Sequence, residues 1–177
     1  MIRHDYFGKV EKGWSGFSSE YKVKIPHFET EVEVCLGEEF DEDGEEIETP
    51  PTNQQLTEFE RTLKDFLNSI DSIIEDIQQS SFERYQRIYA KYYEKPFEIL
   101  FENAKVQKPE NSELHSPLNI DTKEKHFEYM KEIIEKIRIL DNQTIKIPIR
   151  YALDEEHGLE LKIVNNKVVA VGGIAET

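Results

Sequence analysis

The densest polar group in this 177-residue chain is Asp154-Glu155-Glu156-His157-Gly158. Glu155 and His157 stand two apart, so in a strand they share a face, where a carboxylate and an imidazole can hold a metal or move a proton. Either task needs further groups, and His4, His27, His115 and His126 have no diagnostic spacing to the cluster. The plainer reading is a turn between two strands, in which Asp154 accepts backbone hydrogen bonds and Gly158 supplies an unusual backbone conformation. A binding hot spot at Glu155 and His157, and catalysis or metal binding there, stay open beside it.

Aromatic residues form the next concentration. Tyr85, Tyr89, Tyr92 and Tyr93 fall at helical spacing, and most of them can share one face. Packing with Phe82 and Phe97 accounts for them. A tyrosine face also suits an interface, because each ring combines apolar area with a hydroxyl. Trp14, the single tryptophan, lies between Gly13 and Ser15-Gly16. It is expected to plug the edge of the core, with recognition by an exposed ring as the alternative.

From Glu38 to Glu48 the chain carries eight acidic residues and no basic one. Repulsion predicts a flexible acidic loop near 38–50, at a hairpin tip. Asp41, Asp43, Glu45 and Glu46 in this loop are candidates for docking a basic partner. The spacing does not match a calcium-binding EF-hand.

The charge balance supports that partner class. Lys and Arg number 22 against 37 Asp and Glu, for a net charge of −15. Such a field repels nucleic-acid phosphates and anionic membranes and speeds encounter with a basic protein. Cys35 is the only cysteine, which excludes an internal disulfide and a cysteine-rich zinc site and fits a reducing compartment. No stretch approaches the roughly 20 apolar residues of a membrane span, and Met1–Asp5 does not open a signal peptide. A cytoplasmic location is the expectation. Phosphate-binding loops, dinucleotide fingerprints, nucleophile elbows and the H-E-x-x-H zinc pair are absent from the sequence. No cofactor or metal is implied, and catalysis is less expected than binding.

The elements that must position these groups read as one α+β domain over 1–177. Tyr21–Ile25 alternates, and Phe28, Thr30, Val32, Val34 and Leu36 share a face of a longer strand, with a turn at Pro26-His27. Thr52 and Gln55 form a capping box for a helix with Leu56, Phe59, Leu63, Phe66, Ile70, Ile73 and Ile77 on its apolar stripe. A run that long favours two helices with a kink around Gln79–Ser81, with one long bent helix as the alternative. Asp121 and Glu124 offer a further cap, and Phe127, Met130, Ile133, Ile134 and Ile137 mark a third helix ending at Asp141-Asn142. Ile145–Ile149, Leu159–Ile163 and Val168–Val171 then read as strands, with a hairpin turn at Asn165-Asn166. Pro148 predicts an edge strand or a bulge. The N-terminal and C-terminal antiparallel strands are expected to form one sheet packed against about three central helices.

The order of these motifs resembles an uncharacterised family of bacterial cytoplasmic domains associated with polymorphic toxin systems. The resemblance rests on Trp14-Ser15-Gly16, Gln54-Gln55, Tyr92-Tyr93, Asp154-Glu155-Glu156-His157-Gly158-Leu159 and the closing Val168-Val169-Ala170-Val171-Gly172. The chain departs from the family pattern with Leu153 and Glu160. What the resemblance implies is an immunity or accessory protein. The expected function is therefore an acidic protein-binding module that neutralises a basic toxin by stoichiometric contact. A metal-dependent or small-molecule-binding enzyme of unknown class is the alternative, and a structural domain without a ligand site is the third. The sequence does not set homo-oligomerisation.

Overall fold

The computed structural model describes residues 2–90, 119–151, 154–174 and 176–177, with the side chains of 154–157 outside that description. Its N-terminal part is an antiparallel meander of β1 (Ile2–His4), β2 (Gly8–Gly13), β3 (Gly16–Ser19), β4 (Val23–Lys24) and β5 (Glu31–Leu36). Alternation decides which side of β5 is core. Val32, Val34 and Leu36 are fully buried, and Glu31 and Glu33 take the other face. The turn at Pro26-His27 closes with the Phe28 N–H donating to the Ile25 carbonyl, and His27 sits at φ +70°.

The C-terminal part is a second meander of β6 (Lys136–Leu140), β7 (Thr144–Tyr151), β8 (Asp154–Val164) and β9 (Lys167–Gly172). Asn165 and Asn166 both take positive φ in the β8–β9 turn, as a two-residue hairpin with matching twist requires. The two meanders join through a parallel pair, β5 beside β6, giving among the described residues one nine-stranded sheet whose main path runs β1-β2-β3-β5-β6-β7-β8-β9, with β4 pairing onto β5 off that path. This sheet dominates the molecule.

Between β5 and β6 the described residues hold two α-helices, α1 (Asn53–Arg84) and α2 (Lys123–Ile133), where three were expected. The helix does not divide at Gln79–Ser81, and the alternative of one long helix holds. α1 is one helix of 32 residues, roughly 48 Å long at the usual rise. The buried Ser81 hydroxyl satisfies itself by donating to the Ile77 carbonyl within the helix, so a residue that suits caps does not break it. A π-helical turn, Tyr85–Tyr89, continues directly and turns both end tyrosines inward.

The predicted third helix is also shortened. α2 starts at Thr122, whose hydroxyl accepts the Lys125 N–H, and stops at Ile133. Ile137 belongs to β6. The segment Lys136-Ile137-Arg138-Ile139 alternates strictly, which buries both isoleucines under α1 and sends both cations to the opposite face. Pro148 lies in β7, which is internal to the sheet, and of the two expectations the bulge is the one met nearby, as a register shift between Ile149 and Tyr151. The β6–β7 register ends at Lys146, so the missing proline N–H costs no ladder bond on that side.

α1 packs across β6 to β9, and α2 packs on α1 and β7. The other sheet face is polar. Registers set Arg138 beside Lys146 and Lys146 beside Lys162 on that face.

Candidate functional site

The β2–β3 hairpin carries Trp14 at its tip. Gly13 pairs with Gly16, and Gly16 takes φ +79°, a conformation that a side chain strains. The turn therefore points Trp14 outward, where the residue is 99% exposed. The expectation of a core plug is overturned. With only two residues in the turn and Gly16 buried against the sheet, there is no room for the ring to fold back.

The tip is held in place by cations of β6. Lys136 donates to the Ser15 hydroxyl at 2.6 Å. The Arg138 guanidinium donates to the Ser15 carbonyl at 2.9 Å, the Gly37 carbonyl at 2.8 Å and the Glu39 carboxylate at 3.0 Å. Lys12 of β2 bonds Glu46 at 2.9 Å and Glu48 at 2.7 Å, and its pKa is raised by the Glu48 bond first and the Glu46 bond second. Hairpin and acidic loop are thus tied edge to edge by two cations.

Within the acidic loop, Phe40 bridges to Glu46, and the Asp41 carboxylate accepts the N–H groups of Asp43 and Glu45 at 3.0 and 2.9 Å. Gly44 completes the turn at φ +80°. This fixes the loop locally, while Asp41, Asp43, Glu45 and Glu46 stay exposed and Phe40 is 49% exposed. The result is a rim with an exposed indole, a half-exposed phenyl ring and a run of carboxylates.

The tyrosines divide. Tyr85 and Tyr89 are buried at the far end of α1 from the acidic loop and offer no contact face. Tyr89 packs on Tyr151 with ring centroids 4.4 Å apart and donates its hydroxyl hydrogen to the Gly158 carbonyl. Tyr92 and Tyr93 lie outside the described residues. So do the side chains of Glu155 and His157, whose backbone belongs to β8. Asp154–Gly158 is therefore strand and not the predicted turn. Gly158 serves a close approach: a Cβ there would lie 2.3 Å from the Ile149 carbonyl oxygen.

Sequence reasoning missed a buried pair beside those tyrosines. His126 Nε2 and the Tyr151 hydroxyl are 2.6 Å apart, and among the described residues His126 Nδ1 has no hydrogen-bond partner. Burial pushes the imidazole pKa down to about 4, so this histidine is neutral at pH 7. A lone histidine on a helix gave no signal of this. It also missed a crevice of about 530 Å³ where β5 and β6 end, bounded by Gly37, Leu140, Thr52 and Gln55. Among the described residues no group of three or more His, Cys, Asp or Glu is placed to hold a metal ion. No described helix is long and apolar enough to cross a membrane.

A family model described as a domain of unknown function, DUF6985, matches residues 6–176. The chain belongs to the DUF6985 family. No curated protein and no solved structure matches it. The match to the DUF6985 domain takes in the Trp14 hairpin, the acidic loop and the entire C-terminal meander. In this DUF6985 chain the residues that tie hairpin to acidic loop come from β2, the β5–α1 connection and β6, so the rim exists only once both meanders have joined.

Proposed function

We propose that this chain is a stoichiometric protein-binding module that covers a basic surface of another protein, as an immunity protein covers a basic toxin. The observation that carries the reading is Trp14, fully exposed on a hairpin tip that Lys136 and Arg138 hold still. A free indole in water loses roughly 2–3 kcal/mol relative to burial, and holding the tip in advance lowers the ordering cost of docking. Tryptophan is also the residue type most enriched among binding hot spots. The neighbouring carboxylates of Asp41, Asp43, Glu45 and Glu46 supply attraction toward cations, and the net charge of −15 extends it.

The test is recovery of a partner from native cells at low salt, followed by titration of the purified pair. A basic protein bound one to one, with affinity that falls as salt rises and drops at least about tenfold in Trp14→Ala, supports the reading. A captured partner whose affinity ignores both salt and Trp14 overturns it.

A further inference from the structure

We propose that the end of α1 and the edge of β9 form a self-association surface, on which Glu83 of one copy faces Arg87 of a second copy across a two-fold axis. Among the described strands, β9 ends the sheet on the side opposite the Trp14 hairpin. The register shift at Lys162/Ile163 leaves Val169 as an extra residue in β9, 55% exposed. A bulge of this kind interrupts the addition of a further strand, so the contact is made by side chains and not by a tenth strand. Alongside it runs a cleft of about 230 Å³ lined by Ser80, Glu83, Arg84, Arg87 and Val168–Val171.

The helix side of that cleft is a single ridge, since Ser80, Glu83, Arg84 and Arg87 all line it across the junction of α1 and the π-helical turn. Its charges run from acidic to basic along the chain. A two-fold axis across the ridge reverses one copy against the other, so Glu83 of each meets Arg87 of the other, while Arg84 is engaged by Glu176 of its own copy at 3.6 Å and Val169 lies beside the contact. An isologous interface requires this self-complementarity. Within one copy the opposite charges do not pair: Glu83 accepts the Gln79 amide at 2.8 Å, and neither Glu83 nor Arg87 has an ion-pair partner among the described residues. The net charge of −15 opposes association of two copies, and the ridge places attraction where the surfaces meet.

The experiment is sedimentation equilibrium of the full chain and four preparations: Glu83→Arg, Arg87→Glu, the double swap, and the two single variants mixed. Both residues are exposed, so all variants are expected to fold, which circular dichroism checks. Each single variant is expected to weaken the dimer at least about tenfold, while the double swap and the mixture restore it. The mixture is decisive, since only facing positions let a ridge with bases at 83 and 87 pair with one that carries acids at both. Glu83→Arg makes each copy less acidic, so stronger association of that variant overturns the proposal. A chain that stays monomeric to on the order of 1 mM also overturns it, as does a dimer indifferent to all four changes.

Discussion

Arg138 and Glu39 meet at 3.0 Å across 99 positions of sequence, and the same guanidinium holds the carbonyls of Ser15 and Gly37. One side chain of β6 thereby fixes the hairpin that presents Trp14 and the start of the acidic loop. Its side chain is only 13% exposed, so these bonds work in partial shelter from water. Replacing it with methionine leaves two carbonyls and a carboxylate without their donor. Arg138→Met is expected to cost about 1–3 kcal/mol in urea unfolding. Trp14 fluorescence anisotropy should fall in the folded variant, because the tip loses its anchor.

Trp14 itself is expected to contribute nothing to stability. At 99% exposure it has no packing to lose. Trp14→Ala should leave the unfolding free energy within about 0.5 kcal/mol of the parent, a result that chemical denaturation reads directly. A larger loss would place the ring in the core.

His126 gives the fold an acid-side limit. Its pKa is about 4 in the folded chain against 6.5 when unfolded. The unfolded state therefore binds more protons between these values, and stability is complete above pH 6.5 and declines as pH falls toward 4. The loss amounts to about 3 kcal/mol at the low end. Urea midpoints measured from pH 7 to pH 4 should show this slope, and His126→Gln, though less stable throughout, should lack it.

Gly158 is set by crowding as well as backbone. It takes φ +42°, and a Cβ would meet the Ile149 carbonyl oxygen at 2.3 Å and Ile174 Cδ1 at 2.9 Å. Gly158→Ala must shift strand β7 against β8, and a loss of about 2 kcal/mol or more in thermal or urea unfolding is expected. An unchanged midpoint would mean that the two strands part without cost.

Local pattern explains which elements were legible. The alternation of Val32, Val34 and Leu36 marks β5, the Thr52–Gln55 box marks the start of α1, and Asn165-Asn166 marks the last hairpin. Each is a short-range preference that the structure keeps. Ile137 shows the limit. Ile133, Ile134 and Ile137 fit a helical stripe, while Ile137 and Ile139 fit a strand, and the choice falls to the strand because β5 offers a parallel partner there. The chain ending at Leu36 and the chain entering at Lys136 must meet before that preference exists.

The sequence by itself determined the acidity, the class of alternating strands around long amphipathic helices, and the residues able to make a recognition surface. Side-chain period and charge are properties of neighbouring residues, so they can be read without a fold. Only the tertiary structure decided that Trp14 faces water, that Tyr85 and Tyr89 are core, and that Lys12 and Arg138 tie the acidic loop to the hairpin. Those outcomes depend on contacts between residues 34 to 123 positions apart. Exposure and partnership are set by what lies on the other side of a side chain, and no local spacing carries that information.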